Sequence, residues 1–251
     1  MAMLMKGKIV LVTGASRGIG AATARLLARH GAAVAVNYFR SEGPAADVVD
    51  GIRKGGGTAA AFRADVRDAG QVEAMAREVS GTLGPVDTLV INASVDFPIV
   101  PFLEYKWNDF EAKLTGEMKA AFFCCKAFLP AMVKAGKGCI VGVSSGLSRH
   151  PGHGFCAHST AKSGLDAFMK SLALELGPKG IRVNVVAPGL TVTDATAFQS
   201  QKEKDAVAGM TPMKRIALPD DVAGAILCVA SDEARFISGA YIPVSGGIQM
   251  P

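Results

Sequence analysis

A glycine-rich turn near the N-terminus has the residue types and spacing of a phosphate-binding site. Gly14, Gly18 and Gly20 lie in this turn. The apolar run 8–12 before it is typical of a buried strand, and residues 19–30 after it carry apolar side chains at helical spacing. The N–H groups of such a turn and the positive end of the helix dipole face one small volume. Glycines also cap helices and relieve crowding, but the flanking strand and helix favour a nucleotide site.

The composition suits a single large α/β domain. The chain has 251 residues, of which 49% are hydrophobic, as expected for parallel strands that are buried on both faces. The net charge of +5 is not concentrated in a basic run, which argues against a nucleic-acid partner. No apolar run approaches the roughly 20 residues that span a membrane. Residues 1–8 lack the apolar core of a signal peptide, which predicts a short leader segment that runs into the first strand.

The five cysteines are odd in number and contain no C-x-x-C pair. This usage predicts small buried residues in a reducing, cytoplasmic setting, with neither a disulfide framework nor a metal site.

Strand and helix patterns alternate along the whole chain. The predicted strands are 8–12, 33–37, 58–63, 86–92, 139–143, 181–187 and 240–244, and the predicted helices are 19–30, 44–54, 71–83, 107–133, 157–176 and 220–231. This order predicts a doubly wound parallel sheet of the Rossmann type with right-handed crossovers, in one domain over residues 1–251. Residues 189–215 are interpreted as a long loop that serves as a substrate lid, with a disordered insertion as the alternative.

Five motifs in this order resemble the short-chain dehydrogenase/reductase family. The turn 13–20, T-G-x-x-x-G-I-G, resembles the cofactor loop of that family, and Asn92-Ala93 resembles part of its N-N-A-G motif. The sequence G-I-R-V-N-V-V-A-P-G at 180–189 is close to its signature around the sixth strand. Ser231-Asp232 and the S-G-G of residues 245–247 resemble its C-terminal segments. The resemblance covers essentially the whole chain and is strongest to 3-oxoacyl-acyl-carrier-protein reductases.

This resemblance implies a nicotinamide dinucleotide and the residues that contact it. By position these residues are Gly14, Ser16, Arg17, Gly18 and Ile19 in the turn, Tyr38, Arg40 and Ser41 after the second strand, Asp65 and Val66 after the third, Asn92 and Ala93 after the fourth, and Lys162, Pro188, Gly189, Thr191 and Thr193 towards the nicotinamide.

NAD enzymes carry an acidic side chain at the end of the second strand, which accepts the ribose hydroxyls. Tyr38 occupies that position, so no carboxylate would repel a 2′-phosphate. Arg17 and Arg40 could bind such a phosphate, although loop arginines are more often simply solvated. The sequence therefore favours NADP(H) over NAD(H).

The resemblance also implies hydride transfer to a carbonyl, with tyrosine as proton donor in the motif Y-x-x-x-K. Lys162 occupies the lysine position, and Ser145 occupies the position of the catalytic serine. The tyrosine position is held by His158, and none of the three tyrosines lies close enough in sequence to replace it. An i, i+4 spacing puts His158 and Lys162 on one face of the predicted helix.

A second departure falls in the long predicted helix. Aligning residues 127–130 with the family places Glu117 where its members carry the asparagine of the catalytic tetrad. That asparagine holds a water leading to the lysine. A carboxylate could hold the same water or pair directly with Lys162.

Two functions remain open from the sequence. The first is NADPH-dependent reduction of a 3-oxoacyl or polyketide-like ketone, as a small molecule or bound to a carrier. In it His158 transfers the proton, Ser145 holds the substrate oxygen, Lys162 favours the neutral imidazole and Glu117 pairs with the lysine. The second is a nucleotide binder, or a non-redox acid–base catalyst, that has lost the usual chemistry.

Residues around the predicted site complete the expectations. His150 and His153 could line the pocket, but the spacing of the three histidines does not favour a metal. Leu147, Phe155, Phe198 and Met210 are candidate apolar walls. By resemblance, the helices at 107–133 and 157–176 form the interface of a homodimer or homotetramer.

Overall fold

The computed structural model describes residues 3–250; Met1, Ala2 and Pro251, and with them the start of the predicted leader, lie outside the described residues. Seven strands form one sheet, in the order β3-β2-β1-β4-β5-β6-β7, and every pair is parallel. They are β1 Ile9–Val12, β2 Ala33–Tyr38, β3 Thr58–Arg63, β4 Thr88–Ile91, β5 Gly138–Val143, β6 Ile181–Pro188 and β7 Tyr241–Val244. The predicted doubly wound parallel sheet is confirmed.

Helices cover both faces of this sheet. They are α1 Gly18–Arg29, α2 Glu42–Lys54, α3 Ala69–Thr82, α4 Trp107–Ala135, α5 Cys156–Leu176, α6 Gln201–Met210 and α7 Pro219–Ala230. One apolar core lies beneath α1, α2 and α7, and the other beneath α3, α4 and α5. Because the strands are parallel, their carboxyl ends share one edge, where ligands bind in folds of this kind.

The segment 189–215 differs from the predicted long loop, because α6 lies within it. Ser200 and Glu203 form a capping box: the Glu203 N–H donates to Ser200 Oγ at 3.3 Å, and the Ser200 N–H donates to Glu203 Oε2 at 2.7 Å. The segment is therefore partly helical, and its role as a substrate lid stays a prediction. The S-x-x-E pattern was the sequence signal for this helix. No residue of α6 is buried.

The cysteines follow the expectation only in part. Cys124, Cys125 and Cys139 are buried, Cys156 is half-buried, and all five thiols are free. Cys228 is exposed, so the expectation of burial is wrong at this position. Within residues 3–250, no helix has the length and apolar character needed to cross a membrane.

Candidate active site

Two glycines let the N-terminus of α1 pack directly on the turn after β1. Gly14 has φ +61°, and a Cβ there would lie 2.9 Å from the Cα of Ala93. A Cβ on Gly20 would lie 2.5 Å from the carbonyl oxygen of Gly14. Larger residues at either position would displace the turn from the strand edge. The N–H of Gly14 donates to Asn37 Oδ1 at 3.1 Å.

The start of the loop after β4 supports the turn from behind. Asn92 Nδ2 donates to the carbonyl oxygens of Thr13 at 2.9 Å and of Gly14 at 3.2 Å. The backbone N–H groups of Asn92 and Ala93 both donate to Thr13 Oγ1. The side chain of Asn92, expected to contact the cofactor, therefore holds the turn in place. Asn37 has a similar supporting role that the sequence analysis did not foresee.

Arginines gather where β2 and β3 end. Arg17 donates to Ser41 Oγ at 2.8 Å, and the guanidinium of Arg40 lies 5.1 Å from the centre of the Phe39 ring. Arg67 lies against the same ring at 5.8 Å.

The carboxylate in this region is already paired. Asp65 accepts two hydrogen bonds from the Arg67 guanidinium, and these lower the pKa of the carboxyl group. Tyr38 and Val66 are largely buried, one in each of the two cores.

The segment after β6 lies over the glycine turn. Thr193 approaches Gly18, where an added Cβ would lie 3.4 Å from Thr193 Cγ2, and Asp194 lies 3.9 Å from Arg17. Thr191 is buried, and the Gly189 N–H donates to the carbonyl oxygen of Val244 at 3.0 Å. The remaining positions expected to contact the cofactor lie on the same edge: Ser16 and Ile19 are half-buried in the turn, and Pro188 ends β6.

Glu117 on α4 pairs directly with Lys162 on α5. Glu117 Oε2 lies 3.0 Å from Lys162 Nζ, which also donates to the carbonyl oxygen of Val143 at 3.0 Å. Both side chains are almost fully buried. Of the two arrangements that the sequence left open for Glu117, the direct pair is the one observed.

A second buried lysine, which the sequence analysis missed, completes the cluster. Lys113 is 0% exposed, and its Nζ lies 2.6 Å from Glu117 Oε1. The ammonium also donates to Ser94 Oγ at 2.9 Å and to the carbonyl oxygen of Val95 at 2.6 Å. Ser94 in turn donates to Glu117 Oε1 at 2.6 Å. The i, i+4 spacing of Lys113 and Glu117 was the available signal, although such pairs usually lie on a solvated face.

These contacts change the ionisation of the cluster. Burial alone would raise the pKa of Glu117, but Lys162 and Lys113 outweigh it and hold that pKa below its ordinary value. Burial lowers the pKa of Lys113 to about 8, although Glu117 opposes this change. With both lysines protonated, two ammonium groups and one carboxylate leave one net positive charge in a region of low polarity.

His158 lies beside this charged cluster in an apolar setting. Its ring stacks on Phe97, with 4.8 Å between centroids and 15° between planes, and the Lys113 ammonium lies 4.7 Å from the same phenyl ring. Nδ1 of His158 is buried without a hydrogen-bond partner among the described residues. Burial, with help from Lys162 and Lys113, lowers the pKa of His158 to about 3. The imidazole is therefore neutral near pH 7.

Ser145 follows β5 on the same edge. Its Oγ accepts a hydrogen bond from the Leu147 N–H at 3.2 Å, and its carbonyl oxygen accepts one from Tyr241 Oη at 3.3 Å. Leu147 and Phe155 are half-buried here, and Phe155 lies edge-on to His158 with 6.5 Å between ring centroids.

Other residues expected near the site are more open. His150 and His153 are exposed, and Phe198 and Met210 are more than 60% exposed. Within the described part of the chain, no three His, Cys, Asp or Glu side chains are grouped in a way that could hold a metal ion.

A parallel sheet with a glycine turn at its carboxyl edge defines a Rossmann-type nucleotide-binding protein. The chain also matches, over residues 14–249, a family model described as "Enoyl-(Acyl carrier protein) reductase". It therefore belongs to the short-chain dehydrogenase/reductase family. Membership makes it a short-chain oxidoreductase and implies a nicotinamide cofactor, without distinguishing NADP from NAD.

Curated relatives match along nearly their whole length. The chain is 37% identical to the 3-oxoacyl-[acyl-carrier-protein] reductase FabG of Staphylococcus aureus, over 97% of this chain and 98% of that protein. It is also 37% identical to the L-rhamnose 1-dehydrogenase (NAD(P)(+)) of a Sphingomonas species, over 98% and 97% of the two chains. An oxidoreductase of Methylorubrum extorquens matches at 37% identity over 98% of this chain and 99% of its own length.

Proposed function

We propose that this protein catalyses the NADPH-dependent reduction of a ketone, of the 3-oxoacyl or polyketide-like class, with Ser145, His158, Lys162 and Glu117 as its active-site residues. One observation carries the proposal: the direct Glu117–Lys162 ion pair, at 3.0 Å, lies beside a half-buried, neutral His158. Burying such an ionisable cluster is costly, which supports a chemical role for it.

The arginines support NADPH as the cofactor. Arg17, Arg40 and Arg67 surround the end of β2, where NAD enzymes place an acid. Asp65, a carboxylate at the end of the neighbouring strand, is paired with Arg67. A 2′-phosphate at this point would meet guanidinium groups, which bind phosphate through two parallel N–H donors.

The close packing of the glycine turn also supports the binding of a dinucleotide. A Cβ on Gly20 would come within 2.5 Å of the backbone, so the turn and the N-terminus of α1 approach each other as closely as glycine permits. This leaves the backbone N–H groups of Gly18 and Ile19 to receive a pyrophosphate at the positive end of the helix dipole. When bound, the nicotinamide supplies the hydride that reduces the carbonyl carbon.

In this function the neutral His158 donates a proton to the substrate oxygen and is reprotonated; it carries no extra proton before the reaction. A neutral imidazole donates a hydrogen bond to the carbonyl oxygen from one ring nitrogen, in the manner of an electrophilic histidine. As the oxygen becomes an alkoxide it takes that proton, and in the same step the Lys162 ammonium gives a proton to the other ring nitrogen and becomes a neutral amine. Ser145 Oγ donates a second hydrogen bond to the substrate oxygen, and Phe97 holds the imidazole plane by stacking.

Two half-buried apolar side chains, Leu147 and Phe155, support an apolar substrate next to this oxygen site. The relatives include one protein named for a carrier-bound 3-oxoacyl group and one named for a sugar. We favour the acyl class because Phe97, Phe155 and His158 form an aromatic wall, which suits a chain of methylene groups better than a ring of hydroxyls.

The test is a ketone-reduction assay on the parent and on His158→Phe, His158→Tyr and the control His150→Phe. We expect His158→Phe to lower kcat by about 10²–10⁴-fold with an unchanged NADPH Kd, because a positioned proton donor contributes that much. His158→Tyr should keep or raise activity, and His150→Phe should change nothing, because His150 is exposed.

A phenylalanine variant as active as the parent would refute the role of His158. If neither the parent nor His158→Tyr reduces any ketone while both bind NADPH, the non-redox alternative is correct. Proton abstraction by the neutral His158 would then be the activity to assay.

A further inference from the structure

The proposed reduction consumes one proton per turnover, and His158 cannot be its store. The imidazole is neutral at physiological pH, because burial and two neighbouring cations oppose its protonation. Ser145 has no ionisation in that range. The proton must therefore come from a group that is charged before the reaction and that contacts the acid–base residues.

We propose that Lys113 is a positioning residue that stores this proton, connected to Lys162 through Glu117 and to solvent through Ser94. The proposal rests on the proposed function. Lys113 Nζ and Lys162 Nζ contact different oxygens of one carboxylate, at 2.6 and 3.0 Å. A proton that leaves Lys162 for His158 is restored through this carboxyl group from Lys113. Lys113 ends the step as a neutral amine, and the alcohol product carries the proton.

In this proposal the Ser94 hydroxyl connects the buried Lys113 ammonium to solvent. Lys113 is wholly buried, whereas residue Ser94 is exposed and its hydroxyl lies 2.9 Å from Lys113 Nζ. The same hydroxyl donates to Glu117 Oε1 at 2.6 Å, so one small polar group contacts both charged partners. Its position gives Lys113 a path for recovering a proton after each turnover.

The surroundings of Lys113 place its ionisation in a useful range. Glu117 faces it from the same helix, Lys162 and His158 lie on α5, and Asp96 acts from the loop after β4. Burial dominates this environment and lowers the pKa of Lys113 to about 8. An ordinary lysine, which titrates near 10.4, would hold its proton too tightly to refill the site at neutral pH.

The first measurement is independent of activity. Protein labelled with [¹³C]lysine is titrated from pH 6 to 11, and the lysine Cε signals are followed by NMR in the parent, Lys113→Met and the exposed control Lys119→Met. We expect one lysine to titrate near pH 8 in the parent and in Lys119→Met, and that signal to disappear in Lys113→Met. Absence of a lysine that titrates below about pH 9 overturns the proposal, since ordinary lysines titrate near 10.4.

The second measurement is the pH dependence of ketone reduction in the same proteins and in Ser94→Ala. The rate of the parent should fall above about pH 8, because Lys113 loses its proton. In Lys113→Met this fall at high pH should disappear, and kcat should be about tenfold lower than in the parent. Ser94→Ala removes the hydroxyl of an exposed residue and leaves both ion pairs intact. It should lower kcat about threefold to tenfold with little change in KM, because Lys113 then recovers its proton more slowly.

A high-pH limb that persists in Lys113→Met overturns the proposal. If Lys113→Met does not fold, Ser94→Ala decides, and an unchanged rate in that variant is the contrary result. Failure of the proposed function looks different: a parent that reduces no ketone refutes the reductase activity even when the lysine titration is present. Absence of that titration refutes the role of Lys113 whatever the activity.

Discussion

Replacing Glu117 with glutamine tests whether the cluster of Lys113, Glu117 and Lys162 stabilises the fold through the charge of the carboxylate or through its shape. The two side chains have nearly the same volume, so Glu117→Gln opens no cavity. The carboxylate accepts from Ser94, the Val95 N–H and Lys113 at Oε1, and from Lys162 at Oε2. An amide has only one acceptor oxygen, so one ammonium group must face the NH₂ group, donor against donor.

The expected cost follows from burial. Removing one partner of a buried ion pair destabilises proteins by about 3–5 kcal/mol, and here Lys113 and Lys162 both lose the negative charge. In a chain of this size about 1 kcal/mol lowers the melting temperature by roughly 2–4 °C. We therefore expect Glu117→Gln to melt about 6–20 °C below the parent at pH 7.

The pH dependence separates charge from packing. In the variant Lys113 loses its counterion, so its pKa falls further in the folded state while its pKa in the unfolded chain stays ordinary. The unfolded state then binds more protons, and the stability of the variant rises with pH. The deficit should shrink between pH 7 and 9.5, because Lys113, whose pKa in the parent is already about 8, sheds its proton in both proteins.

Thermal unfolding followed by circular dichroism at both pH values is the assay, with Glu111→Gln as the matched control. Glu111 lies on the same helix and is exposed, so its substitution should shift the melting temperature by no more than about 2 °C. A Glu117→Gln protein that melts within that margin at pH 7, or whose deficit is the same at both pH values, would refute this reasoning.

Two further predictions concern the cofactor and the assembly. Arg40→Ala should weaken NADPH binding by about 1–3 kcal/mol and leave NADH binding nearly unchanged, because a charge-assisted contact to the 2′-phosphate is lost. Calorimetry with both cofactors checks this, and an equal loss of affinity for the two would contradict a contact between Arg40 and the 2′-phosphate. Light scattering at micromolar concentration should give a dimer or tetramer, because Phe122 on α4 and Leu174 on α5 are 47% and 81% exposed; a monomer would mean that these helices form no stable interface.

The sheet could be predicted because its strands are apolar on both faces. Strand β3 has the predicted bounds, Thr58–Arg63, and the other strands differ from the prediction by at most two residues at either end. The apolar residues of α4 suited a subunit interface and packing on the sheet equally well, and Ala120, Ala121 and Phe128 are buried against the sheet. Periodicity shows that a face is apolar, but it does not tell which surface covers that face.

The candidate site was less predictable than the fold. Ser145, His158 and Lys162 were assigned from the resemblance to the family's motif, which does not extend to Lys113 and Phe97. A lysine on a polar-looking helix is nearly always solvated, so its burial depends on the tertiary contact between α4 and the loop after β4. Phe97 lies in that loop, outside any periodic segment, and its contact with His158 joins residues far apart in the sequence.

The charge of the cluster gives a physical reason why either a histidine or a tyrosine can occupy position 158. One net positive charge beside a phenol stabilises the phenolate and counteracts burial, which raises the pKa of a tyrosine. The same charge beside an imidazole opposes the imidazolium, and here burial acts in the same direction. Both groups are therefore driven towards the form that accepts a proton. The difference is that a neutral imidazole still carries an N–H donor, whereas a phenolate carries none. His158 can thus donate a hydrogen bond to the substrate oxygen while the lysines hold the mobile proton.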